Sequence, residues 1–169
     1  HQSACLTQDG RFIVGIRGSE QLGDARAAEG TSARSLMVVD LVEKRTSALP
    51  AFSGPYALGP VPQTPAAIAG LSVTDASRVE VWAPAPERKL GELVGHSGAV
   101  YAIAFSPDGK RIATSGRDAL RLWDAATFTE IVQLRGHTSF IWSLVFSPDG
   151  SILASGSGDR TARLWIRSK

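Results

Sequence analysis

Gly95-His96, then Phe105-Ser106-Pro107-Asp108-Gly109, Asp118 and Arg121-Leu122-Trp123, form a pattern that this chain carries twice. Gly136-His137 repeats the opening pair and Phe146-Ser147-Pro148-Asp149-Gly150 the turn, both 41 positions later, and Asp159 follows Asp118 at the same offset. Arg163-Leu164-Trp165 comes 42 positions after its counterpart, so one residue is gained between the last two anchors. Within the first copy, apolar runs bounded by Gly, Pro and Asp predict strands at Val100 to Phe105, Arg111 to Ser115, Leu120 to Trp123 and Glu130 to Leu134. The second copy repeats three of them, at Ile141 to Phe146, Ile152 to Ser155 and Ala162 to Trp165, with no fourth before Lys169.

A repeat of this length, opening with Gly-His and closing with Trp123-Asp124, resembles the WD-repeat family of β-propellers. The resemblance is specific over residues 95 to 166 and weaker upstream. One period back from Trp123 stands Trp82, and 43 positions before that stands Val39, followed by Asp40. The resemblance implies an all-β WD-repeat propeller segment of about four blades. Residues 1–50 form a blade with a long polar loop insertion at 18–34, after a turn at Gln8-Asp9-Gly10 and a strand at Arg11 to Arg17. Residues 51–94 form a divergent blade with strands at Ala66 to Val73, Val79 to Trp82 and Lys89 to Val94. Pro50, Pro55, Pro60, Pro62 and Pro65 predict a first strand there that is short, irregular or displaced, because proline cannot donate to a ladder. Residues 95–135 and 136–169 are the two well-matched blades, the last without its outer strand. Full propellers of this family usually have seven blades, so the expectation is the C-terminal part of a larger ring, with the remaining blades upstream in the same chain.

The totals exclude several classes. Eighteen basic against sixteen acidic residues in 169, spread along the chain, leave no basic cluster that would track phosphates, so nucleic acid is not an expected partner. There is no run of eighteen apolar residues and no signal-peptide pattern, which predicts no membrane partner and a cytoplasmic location. Cys5 is the single cysteine and reads as a small buried hydrophobe.

In WD-repeat proteins the repeated polar positions look like a buried hydrogen-bond chain from indole to hydroxyl to imidazole to turn carboxylate. Carried over, this implies Trp123, Thr114, His96 and Asp118 in the third unit, and Trp165, Ser155, His137 and Asp159 in the fourth. Ser157 shares a face with Ser155 and could supply the hydroxyl, but Gly116 holds its place in the third unit, so Thr114 and Ser155 are the consistent pair. Ser, His and Asp together also suggest a hydrolase triad. Their recurrence at one period and the lack of a nucleophile elbow argue for a structural device instead. The histidines and the cysteine have no metal-ligand spacing, and Gly156-Ser157-Gly158 is a tight turn rather than a phosphate loop, so neither metal nor cofactor is expected.

Partners in this family usually dock where first strands begin and second-to-third-strand turns project. That face carries over to Ala99, Tyr101, Arg117, Phe140, Trp142 and Gly158, with aromatics and an arginine of hot-spot composition. Phe140 and Trp142 could equally fill gaps between blades. The expected function is a non-catalytic scaffold for a protein or peptide partner. The alternative is the regulatory or targeting tail of a multidomain enzyme, such as a bacterial Ser/Thr kinase or a protease, whose catalytic domain lies upstream.

Overall fold

The computed structural model describes residues 4–6, 11–17, 35–84, 86–117 and 119–166. The Gln8-Asp9-Gly10 turn, the 18–34 insertion, Asp118 and the side chain of Cys5 lie outside the described residues. The described chain is all-β, in four antiparallel sheets whose strands follow sequence order. The first holds β1 (Ala4–Leu6), β2 (Phe12–Arg17), β3 (Ser35–Asp40) and β4 (Arg45–Ala48). The second holds β5 (Tyr56–Val61), β6 (Thr64–Leu71), β7 (Arg78–Pro84) and β8 (Glu87–Val94). The third holds β9 (Val100–Phe105), β10 (Arg111–Gly116), β11 (Leu120–Asp124) and β12 (Glu130–Leu134). The fourth has β13 (Ile141–Phe146), β14 (Ile152–Ser157) and β15 (Ala162–Ile166).

In the third and fourth sheets the first and second strands are joined by tight turns with the chemistry to close them. In the Ser-Pro-Asp-Gly turns, Ser106 Oγ donates to Asp108 and accepts the Arg111 N–H, while Gly109 takes φ +69°. Gly150 takes φ +70° in the fourth sheet, a conformation in which a Cβ is strained. The period expected from the tryptophans is met in register. Trp82 lies opposite Ile68, Trp123 opposite Ile112 and Trp165 opposite Leu153, each in the third strand of its sheet.

The sheets stack face to face, as propeller blades do. The first strands β5, β9 and β13 lie against one another in turn. Leu36, Val38, Phe52 and Ile68 fill the space between the first and second sheets. Val79, Val81, Leu93, Ile103, Ile112 and Trp123 fill that between the second and third. Ala113, Leu120, Ile141, Phe146 and Leu153 do so between the third and fourth. Each fully buried large side chain contributes roughly 1.5–3 kcal/mol. Polar links cross the same seams: the Val100 N–H donates to Ala76 O at 3.0 Å and Ser115 Oγ to Ile141 O at 2.9 Å. At Gly59 the second and third sheets come so close that a Cβ would stand 2.3 Å from that of Phe105.

The proline-rich stretch takes one of the forms expected of it, the irregular one. β5 runs its full six residues and pairs with β6, so it is neither short nor displaced; its irregularity is confined to a register shift between Gly59 and Val61, at Pro60. β5 has a ladder partner on one side only among the described residues, and a bulge on such a strand absorbs a missing donor. β6 also begins two residues earlier than the expected Ala66 and ends at Leu71 rather than Val73.

Candidate functional site

Two constellations could carry function: the buried polar chains and the face where the 135–140 loop meets the turns after β10 and β14. In the third sheet Trp123 Nε1 donates to Thr114 Oγ1 at 2.7 Å, and His96 Nε2 is 2.7 Å from the same oxygen. In the fourth, Trp165 Nε1 donates to Ser155 Oγ at 2.9 Å, His137 Nε2 lies 2.9 Å from it, and His137 Nδ1 lies 2.7 Å from Asp159 Oδ2. The indole can only donate, which leaves the hydroxyl hydrogen for His137 Nε2 and the imidazole proton for Nδ1, donating to Asp159. Asp159 also accepts the Thr161 hydroxyl and the N–H groups of Thr138 and Thr161. These donors, Thr161 Oγ1 foremost and then His137, hold its carboxyl well below the usual range against the opposing effect of burial. Asp118 lies outside the described residues. Ser157 takes a separate role, donating from Oγ to Phe140 O at 2.9 Å.

Ser155 is buried and its oxygen already receives the Trp165 indole, so its hydroxyl is committed within the fourth sheet. The sheets without this histidine use other partners. Trp82 Nε1 donates to Glu80 Oε2 at 3.1 Å, and Lys89 Nζ donates to Glu80 Oε1 at 3.2 Å. Sequence reasoning missed Glu80, although Glu80-Val81-Trp82 puts acid and indole on one strand face. Asp40 and Asp124 share a further task, each accepting two backbone N–H groups of the turn that follows. Arg11 pairs with Asp40 at 2.8 Å.

On the face, Tyr101 of β9 meets Phe140 and Trp142 edge-on, with ring centroids 5.1 and 5.0 Å away, and Phe140 and Trp142 are 5.3 Å apart. The Arg117 guanidinium carbon lies 5.3 Å from the Phe140 ring centroid. The cluster bridges the third and fourth sheets yet stays open to solvent, with Trp142 56% exposed. Gly158 donates its N–H to Phe140 O at 2.8 Å, and a Cβ there would come 3.1 Å from Trp142 Nε1. Ala99 is half-buried just before β9. A cleft of about 100 Å³ adjoins the cluster, lined in part by Arg117, Arg135, His137, Ser139 and Ile141. Arg135 and Ser139 carried no sequence signal, because the neighbouring sheet brings their surroundings to them.

Among the described residues no group of three or more His, Cys, Asp or Glu could hold a metal ion, and no helix is long and apolar enough to cross a membrane. Residues 87–124 and 128–165 each match the family described as WD domain, G-beta repeat. The chain is also similar to the eukaryotic translation initiation factor 3 subunit I of Dictyostelium discoideum, 53% identical over 32 residues. That match covers 19% of this chain and only 10% of the relative's length.

Proposed function

Residues 87–165 are a tandem pair of WD repeats in a β-propeller chain, and we propose that this propeller is a non-catalytic docking platform whose protein partner seats on Tyr101, Arg117, Phe140 and Trp142. The observation that carries the reading is the aromatic trio under a guanidinium, spanning two blades with Trp142 exposed to solvent. Interface hot spots draw on Trp, Tyr and Arg, and the stacking of blades holds the cluster with little ordering left for binding to supply. The similar initiation factor protein is by name a subunit, which supports a role within an assembly.

A pull-down with the full-length protein tests this, comparing wild type with an Arg117→Ala/Trp142→Ala variant. Partner recovery falls by an order of magnitude or more if the face is the docking site. Undiminished recovery removes the face from consideration.

The platform also needs company on its open side. Ala104, Ala113 and Leu122 of the third sheet pack toward the fourth. Their register equivalents there are Val145, Ala154 and Leu164, and Val145 and Leu164 are 62% and 66% exposed. A groove of about 320 Å³, lined among others by Val132, Leu134, Leu153, Trp165 and Ile166, runs beside β15, which has a ladder partner on one side only among the described residues. We read the groove as the seat of a fourth strand and the exposed sheet face as the seat of a further blade in the same ring.

A further inference from the structure

We propose that the cleft between the third and fourth sheets binds an acidic side chain of the partner, Glu or Asp, while a neighbouring apolar residue of the same peptide packs on Tyr101, Phe140 and Trp142. This rests on the docking reading above and names the chemistry that the platform selects.

The cleft of about 100 Å³ has two guanidinium groups in its wall, Arg117 and Arg135, and no acidic residue among those lining it. Neither arginine is in an ion pair among the described residues. Arg117 lies over the Phe140 ring, and Arg135 donates to the neutral Gln133 Oε1 at 3.0 Å. Elsewhere several cations of the described chain sit on a carboxylate: Arg11 on Asp40, Arg78 on Asp75, Lys89 on Glu80 and Arg121 on Glu130. What distinguishes Arg117 and Arg135 is that two arginines without a carboxylate partner among the described residues line one concavity. The hydroxyl of Ser139, in the same wall, makes no side-chain hydrogen bond among the described residues.

His137 also lines the cleft, but both its ring nitrogens are engaged, by Ser155 and Asp159. The donors left for a ligand are the guanidinium forks and one hydroxyl, which suit the two oxygens of a carboxylate. The volume is room for about three waters, enough for a carboxylate. Arg117 belongs to both the cleft and the aromatic cluster, so an acidic residue and an apolar one near it in sequence could engage together. RNA is the poorer fit. Single-stranded nucleic acid uses a track of cations and free ring faces, whereas here two arginines stand alone and the three rings are engaged with one another.

The test is selection of a random dodecapeptide phage library on the immobilised full-length protein, then fluorescence anisotropy with the enriched peptides. Enriched peptides should pair Asp or Glu with a large apolar residue. An Arg117→Ala/Arg135→Ala variant, verified as folded by circular dichroism, should bind them roughly tenfold more weakly, as expected for two partly exposed charge pairs. Glu→Gln in the peptide should cost the same factor in wild type and almost nothing more in the variant. Peptides without acidic enrichment whose capture still depends on Trp142 would overturn the acidic inference and leave the docking reading standing. Capture indifferent to Trp142 and to both arginines, or no capture, counts against both. Binding of a fluorescein-labelled oligo(U) through the arginines, with no acidic peptide selected, would overturn the inference in favour of RNA.

Discussion

Thr114→Val is the sharpest probe of the polar chains, because valine keeps the shape of threonine and deletes only its hydroxyl. Thr114 is fully buried, and its oxygen receives the indole N–H of Trp123, itself 1% exposed, and faces His96 Nε2. Both partners are buried, so the substitution leaves one donor and one acceptor without the hydroxyl. At roughly 1–3 kcal/mol for each buried group left without a partner, the loss is about 2–6 kcal/mol. Thr114→Ser keeps the hydroxyl and removes one methyl, for about 0.5–1.5 kcal/mol. Urea unfolding followed by tryptophan fluorescence reads both. With a slope of about 2 kcal/mol per molar, the valine variant should unfold about 1–3 M earlier and the serine variant under about 0.8 M earlier. Adding Trp123→Phe to Thr114→Val should cost less than the sum of the two, since the stranded donor goes too. A valine variant within about 0.5 kcal/mol of wild type, or a serine variant as damaged as the valine one, would refute the reasoning.

Gly59→Ala forces a methyl onto the Phe105 side chain across the seam of the second and third sheets, and should cost about 1–3 kcal/mol in urea unfolding. Gly150→Ala meets little crowding but must hold φ near +70°, so about 1–2 kcal/mol is expected from backbone strain alone. Asp40 is held at about 2, below its ordinary 3.8, chiefly by Arg11 and against burial. Its folded pKa lies below the unfolded one, so its stabilisation is complete above the unfolded value and is lost as pH falls from about 4 toward 2. Asp40→Asn should therefore lower stability at pH 7 and reduce its fall across that acid window, measured by urea midpoints at several pH values. In the full-length protein, Leu164→Asp should destabilise by at least about 2 kcal/mol if a further blade covers that face, and by less than about 0.5 kcal/mol if the residue stays in solvent.

The third and fourth sheets were legible because their repeat is written in residues with narrow structural uses. Gly109 and Gly150 stand where φ is positive, and Trp123 and Trp165 stand opposite an apolar residue of the second strand. The second sheet was legible in part. Its prolines signalled the loss of donors, but what that loss costs depends on whether the strand has one ladder partner or two, and that is set by tertiary order. Glu80 escaped notice because an exposed-looking acid beside valines reads as a solvated face until Lys89 and Trp82 are brought to it. The ambiguity of Phe140 and Trp142 had the same source. Sequence assigns a residue to a strand, while the number of sheets covering it depends on the neighbours. The structure puts the cluster across a seam and leaves it open.

The polar chain and the proposed docking face are one mechanical unit. Asp159 accepts the N–H of Thr138 as well as the imidazole, so the carboxylate that completes the chain also pins the start of the loop carrying Ser139 and Phe140. Ser157 Oγ and the Gly158 N–H fix the other side of that loop through the carbonyl of Phe140. The network thus sets the position of the half-buried Phe140 through the loop's backbone, without touching a partner. A loop already held in place has little freedom to lose on binding, which raises affinity without any added contact. His137→Ala should for this reason weaken partner binding as well as folding. The loss should appear as faster dissociation under conditions where the variant is still fully folded, because the contacts remain available and only their pre-arrangement is gone.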